Sequence, residues 1–139
     1  MAFPTVLVTT TVSGTFYGVE AADTATSTAL ETRIVEPDSL TCLFAVLAEG
    51  DGITLTGRWQ TSTDNSNWEQ LDNPENTTPT ILATGTSGSD TLTTQRIAPP
   101  PGWTGVRYIR AAVEVGGITG VTADTYSMTL SYQKRNEWR

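Results

Sequence analysis

A chain of 139 residues is one domain of ordinary size, and it can bury about two thirds of its surface without disulfide or metal staples. Eight Lys and Arg against fifteen Asp and Glu give a net charge of −7, which repels phosphate backbones and disfavours nucleic-acid binding. The absence of His removes Ser-His-Asp and Cys-His catalysis and His-ligated zinc, and the single cysteine, Cys42, excludes an intrachain disulfide or a cysteine-cluster metal site.

Thr makes up roughly a fifth of the chain, and Thr, Val, Ile and aromatic residues favour strands. The first segment alternates Val6, Val8 and Val12 with Thr5, Thr9 and Thr11, interrupted by Leu7, and predicts an edge strand or an arm lying on a neighbour. Ser13 to Thr28, rich in Gly, Ala and Thr, predicts a loop or extended arm. Leu30, Thr32 and Ile34 predict a short strand ended by Pro37-Asp38. Leu40 to Leu47 is apolar on both faces and predicts a central strand, with Cys42 as a small buried hydrophobe beside Leu40, Phe44 and Val46.

Glu49-Gly50-Asp51-Gly52 predicts a turn, after which Ile53, Leu55, Gly57 and Trp59 share one face. A second turn at Asp64-Asn65-Ser66-Asn67 makes Trp59 to Leu71 a hairpin. Asp72 to Pro79 predicts a polar loop, with weaker strands over Thr80–Thr84 and Thr91–Ile97. Ala98-Pro99-Pro100-Pro101-Gly102 cannot lie inside a sheet, because proline lacks the ladder donor. Ile109, Ala111, Val113 and Val115 then share a face, as do Tyr126, Met128, Leu130 and Tyr132 beyond Gly116-Gly117.

These elements predict an all-β, antiparallel two-sheet sandwich, jelly-roll-like, with an extended N-terminal arm. The expected division is an arm or edge strand over 1–28, the sandwich over 29–133, and a basic tail over 134–139. The core should hold Leu40, Phe44, Val46, Ile53, Leu55, Trp59, Ile109, Val113, Met128 and Leu130. The longest apolar run, Leu43 to Ala48, is far short of the roughly 20 residues that span a bilayer. Met1-Ala2-Phe3-Pro4 has no basic n-region or apolar core, so the chain is expected to be made in a reducing cytoplasm.

Asp64, Asn65, Asn67, Glu69, Asp72, Glu75 and Asn76 are hard oxygen donors close in sequence. The calcium-loop pattern fails among them, since no Gly follows and Trp68 takes a ligand position, so a solvated acidic loop is expected. Nothing marks one pair of carboxylates for glycoside cleavage, and no Gly-rich phosphate loop follows a strand and opens a helix. The expectation is therefore no enzyme and no cofactor. Trp59, Trp68, Trp103 and Tyr17 could form a sugar-stacking platform, with Trp68 and Trp103 as the better exposed candidates. Seven arginines stand against one lysine, Lys134, and arginine suits bidentate ion pairs between partners.

Gly57-Arg58-Trp59-Gln60-Thr61-Ser62-Thr63-Asp64-Asn65-Ser66-Asn67-Trp68-Glu69-Gln70-Leu71 resembles a hairpin of tailed-phage virion proteins, of the form W-Q-x-S-x-D-x-x-x-W-x-x-L. Pro100-Pro101-Gly102 followed by Val106-Arg107-Tyr108-Ile109-Arg110-Ala111 resembles their proline-then-strand ending. Over residues 40–133 the chain is similar to the small β-sandwich decoration, or cement, proteins of phage capsids. That resemblance implies a non-enzymatic virion protein on the outer capsid surface, bridging major capsid subunits, with further copies of itself favoured as a trimer and a dimer as the competitor. It implies neither nucleic acid nor membrane as a partner. A glycan-binding module of a fibre or a secreted protein is the alternative.

The termini are the expected contact surface. Phe3, Val6, Val8, Phe16 and Tyr17 make the first segment too apolar for a spacer, and Lys134, Arg135, Trp138 and Arg139 add cations and an aromatic anchor to an acidic protein. On this expectation the domain folds without residues 1–12 or 134–139.

Overall fold

The structure, a computed structural model, describes residues 5–17, 23–48, 54–71, 80–84, 91–100, 102–116 and 123–135. Among the described residues ten strands form two antiparallel sheets: β1 (Thr5–Tyr17), β2 (Asp23–Thr26), β3 (Leu30–Glu31), β4 (Thr41–Ala48), β5 (Thr54–Ser62), β6 (Glu69–Leu71), β7 (Thr80–Thr84), β8 (Thr91–Ile97), β9 (Tyr108–Gly116) and β10 (Ala123–Arg135). The first sheet has the order β1-β10-β4-β8. The second has the order β2-β9-β5-β6, with β3 also on β9 and β7 also on β5. The protein is thus an all-β sandwich whose chain passes repeatedly from one sheet to the other.

Alternation fixes the core. In β4, Cys42, Phe44 and Val46 point inward; in β9, Ile109, Ala111, Val113 and Val115 do; in β10, Met128 and Leu130 do. Leu40, Leu55 and Trp59 complete the expected set, while Ile53 lies outside the described residues. β4 is central as predicted, between β10 and β8. The Trp59–Leu71 hairpin forms with Trp59 opposite Leu71 and Thr61 opposite Glu69.

Three expectations need correction. Within Ser13–Thr28, the described stretches Ser13–Tyr17 and Asp23–Thr26 are strand rather than loop or arm: β1 runs unbroken to Tyr17, and β2 pairs with β9, while residues 18–22 lie outside the described residues. Gly14 is a slot for the ring of Tyr126. A Cβ built on Gly14 would lie 2.5 Å from the Tyr126 hydroxyl oxygen and 2.8 Å from Cζ. β1 lies at the edge of the first sheet. The strand expected over Leu30 to Ile34 stops at Glu31, where a 3-10 turn over Thr32–Ile34 begins. Thr32 explains the stop: its hydroxyl donates to the Val106 carbonyl and its N–H to the Arg107 carbonyl, 2.9 Å away. Trp103 is not exposed. After Gly102, held at φ 100, a 3-10 turn over Trp103–Gly105 folds its indole back into the core at 7% exposure.

Candidate functional site

The sequence-predicted contact residues do not behave as two free arms. β1 pairs with β10 over all thirteen of its residues, from Thr5 opposite Arg135 to Tyr17 opposite Ala123. The start of β1 and the end of β10 therefore meet at one end of the first sheet, with Val6 opposite Lys134. Val6 is 50% exposed and Lys134 is exposed. Val8 is half-buried and packs on the core. Residues 5–12 cover the flank of β10 as part of the edge strand β1.

Phe16 is not a surface anchor. It is 5% exposed and packs on Tyr126, ring centroids 4.9 Å apart, because its place in the alternation faces the core. Arg135 is held internally: its Nε donates to Glu36 Oε2 at 2.8 Å. Backbone contacts brace this corner, with Glu36 N–H donating to Gln133 O at 2.8 Å and Val35 bridging Lys134. The backbone of Tyr17 ends β1, whereas Phe3, Trp138 and Arg139 lie outside the described residues. Leu7, which the sequence reading passed over as a break in the pattern, is 63% exposed on the outer face. The run Val6-Leu7-Val8 was the available signal, since three consecutive apolar residues cannot all face one core.

The second sheet's outer face carries a different cluster. Arg110 lies over Trp68, its guanidinium carbon 4.0 Å from the ring centroid, and its Nε donates to Gln60 Oε1 at 2.8 Å. Burial lowers the Arg110 pKa from its ordinary value. Arg58 pairs with Glu114 at 3.3 Å on the same face. Trp59 and Trp103 are buried and Trp68 stacks under Arg110, so these three tryptophans do not form an open sugar platform.

The turn after β5 is organised by Asp64. Its Oδ1 accepts from the N–H groups of Ser66 and Asn67 at 2.9 and 2.8 Å and from Ser62 Oγ at 3.0 Å, and Oδ2 accepts from Asn67 Nδ2 at 2.8 Å. These donors hold the carboxyl well below the usual carboxylate range. Asn65 takes the left-handed conformation, φ 61, that the turn requires. Its hydrogen bonds thus tie Asp64 to closing the hairpin; Asp72, Glu75 and Asn76 lie outside the described residues. Among the described residues no three His, Cys, Asp or Glu side chains converge as a metal site, and no helix is long and apolar enough to cross a membrane. Burial pushes the Cys42 thiol up to about 12, as suits a packed hydrophobe.

No protein-family model matches the chain, and no curated protein matches it. Solved structures do. A chain in the structure of infectious bursal disease virus Gx strain superposes with a TM-score of 0.52 at 15% identity, over 96% of this chain and 32% of that one. VP2 from the infectious bursal disease virus subviral particle gives 0.51 at 15% identity, over 93% of this chain and 33% of that one. The likeness is one of fold. This chain spans about a third of the length of those it matches.

Proposed function

We propose that this protein is a non-enzymatic structural component of a virion, and that it decorates and stabilises a phage capsid by bridging neighbouring major capsid subunits. The observation that carries the reading is the match of almost the whole sandwich to VP2 of a subviral particle. The hairpin and the V-R-Y-I-R-A strand, which resemble phage virion proteins, point the same way. The protein acts by binding energy alone: an interface of about 1,600 Å² gives specificity, and many copies on one shell multiply a modest affinity. Its place is the outer capsid surface, with capsid subunits and other copies of itself as partners. The contact surface is the corner where Val6, Leu7 and Lys134 are exposed.

The test is reconstitution. Purified protein is mixed with capsids that lack it, and occupancy is read by co-sedimentation and heat resistance by particle melting. Saturable binding that raises the melting temperature of the particles is expected, and Lys134→Glu with Leu7→Glu should lower occupancy. Capsids that neither bind the protein nor gain heat resistance refute the reading. Retention on a glycan array, lost with Trp68→Ala, would favour a glycan-binding module instead.

A further inference from the structure

β1 is the longest edge in either sheet and the least protected. Natural sheets blunt their edges with short strands, charges, prolines or bulges, because an open row of N–H and C=O groups recruits further strands. The other edges follow that rule. β8 carries Arg96 and runs into Pro99 and Pro100. β2 has four residues, and β6 has three including Glu69. β1 has thirteen residues, Thr5–Tyr17, with no charge and no proline. Its register with β10 runs from end to end without a bulge. Among the described residues no strand lies on its other side. The exposed large hydrophobic residues of the described chain, Val6 and Leu7, both belong to it.

We infer that β1 is a dimerisation edge, and that it pairs antiparallel with β1 of a second copy about a two-fold axis at Thr11. The strand is its own best complement. Even-numbered residues of β1 face the core and odd-numbered ones face outward, as their partners on β10 show. Full overlap sets Thr5 against Tyr17 and Thr11 against Thr11, so every paired position sums to the same even number. Core-side residues then meet core-side residues, and the two four-stranded sheets become one continuous sheet. The backbone groups that point away from β10 also share one parity, so the same register sets them face to face. Thirteen residues span about 44 Å and make about 12–14 hydrogen bonds across the axis, within the range of specific protein interfaces.

Charge favours the same occupant. Two copies, each at −7, repel overall, and β1 lets them meet without setting like charges face to face. A partner strand must offer small hydroxyl residues outward and aliphatic residues inward over this length, which is the composition of β1 itself. Closed two-fold symmetry then stops growth at the dimer, because each copy has one such edge. This inference does not depend on the virion reading, since it concerns the isolated chain.

The experiment is sedimentation velocity on the full chain across about 1–100 μM, the range in which a specific dimer dissociates measurably. A concentration-dependent dimer is expected. Thr11→Lys sets two ammonium groups against each other on the axis and should raise the dissociation constant at least about tenfold, as should Thr11→Glu. Mixing the two variants should restore a dimer, because Lys then faces Glu. Thr11→Val, which removes only the 3.0 Å hydroxyl contact with Thr129, and Thr125→Lys, on the same outer face but one strand inward, should both remain dimeric. Thermal melting of each variant confirms that its fold is intact. A wild-type chain that stays monomeric throughout overturns the inference. So does a dimer indifferent to both Thr11 charges, one broken equally by Thr125→Lys, or a Lys–Glu mixture that fails to associate.

Discussion

Gly14→Ala isolates one contact between β1 and β10. The backbone of Gly14 accepts alanine, for it is not among the glycines of positive φ. Alanine alone would stabilise such a site by about 0.4–1 kcal/mol through the unfolded chain. Its Cβ, however, would meet Tyr126 Oη at 2.5 Å, Cζ at 2.8 Å and Cε1 at 3.1 Å. The ring must slide, and it is not free to do so, because it packs on the buried Phe16. Overpacking of this kind costs about 1–3 kcal/mol, which outweighs that gain and leaves a net loss of up to about 2.5 kcal/mol. Urea unfolding of wild type, Gly14→Ala, Tyr126→Ala and the double variant closes a mutant cycle. In the Tyr126→Ala background the clash is gone, and Gly14→Ala should be neutral or stabilising. An equal cost in both backgrounds would refute the reasoning, since the glycine would then be needed for its backbone and not for the ring.

Phe44→Ala removes a fully buried ring from β4, opposite Met128, and should cost about 3–5 kcal/mol, a fall in melting temperature of about 10–20 °C. A loss under about 1 kcal/mol would place Phe44 outside the core. The Cys42 thiol, buried and with its pKa pushed up to about 12, should resist Ellman's reagent in the folded protein and react promptly in urea; prompt labelling of the native chain would contradict its position. Asp64 should stabilise the hairpin in its charged form. Its folded pKa lies below the unfolded value of about 3.9, so the contribution is full above that pH and is lost as pH falls through the folded pKa. The urea midpoint of Asp64→Ala should thus trail wild type at neutral pH and converge with it in acid, whereas a pH-independent gap would refute the linkage.

Much of the fold is legible in the sequence because its rules are local. The β5–β6 hairpin announces itself through Asp64-Asn65-Ser66-Asn67, and the structure shows why: Asp64 collects four hydrogen bonds within three residues. The inward faces of β4, β9 and β10 follow from alternation alone. Alternation assigns a face but not a neighbour, however. β9 and β10 are consecutive in the chain yet lie in different sheets, and β10 pairs instead with β1 and β4. The same limit explains Gly14 and Trp103. Sequence surroundings place Gly14 in a loop-like stretch and Trp103 at the surface, while an aromatic ring across the strand and a 3-10 turn set their roles.

The candidate site was less legible, because it is made by register between the two ends of the chain. The exposure of Val6 beside Lys134 follows only once the start of β1 is known to lie on the end of β10. The abundance of arginine pointed toward partners, but the described arginines are largely engaged within the chain. Arg33 pairs with Glu31, Arg58 with Glu114 and Arg135 with Glu36, and Arg110 stacks on Trp68. Half-exposed pairs of this sort contribute little to stability, yet each fixes a guanidinium in place on its own surface. What remains for recognition on the first sheet is the exposed Lys134 together with an uncharged edge of backbone and hydroxyl groups, with Val6 and Leu7 exposed at the same end. A cationic tail would bind an acidic neighbour through contacts weakened by salt. An edge of hydrogen bonds and apolar contacts is less sensitive to ionic strength than such a tail.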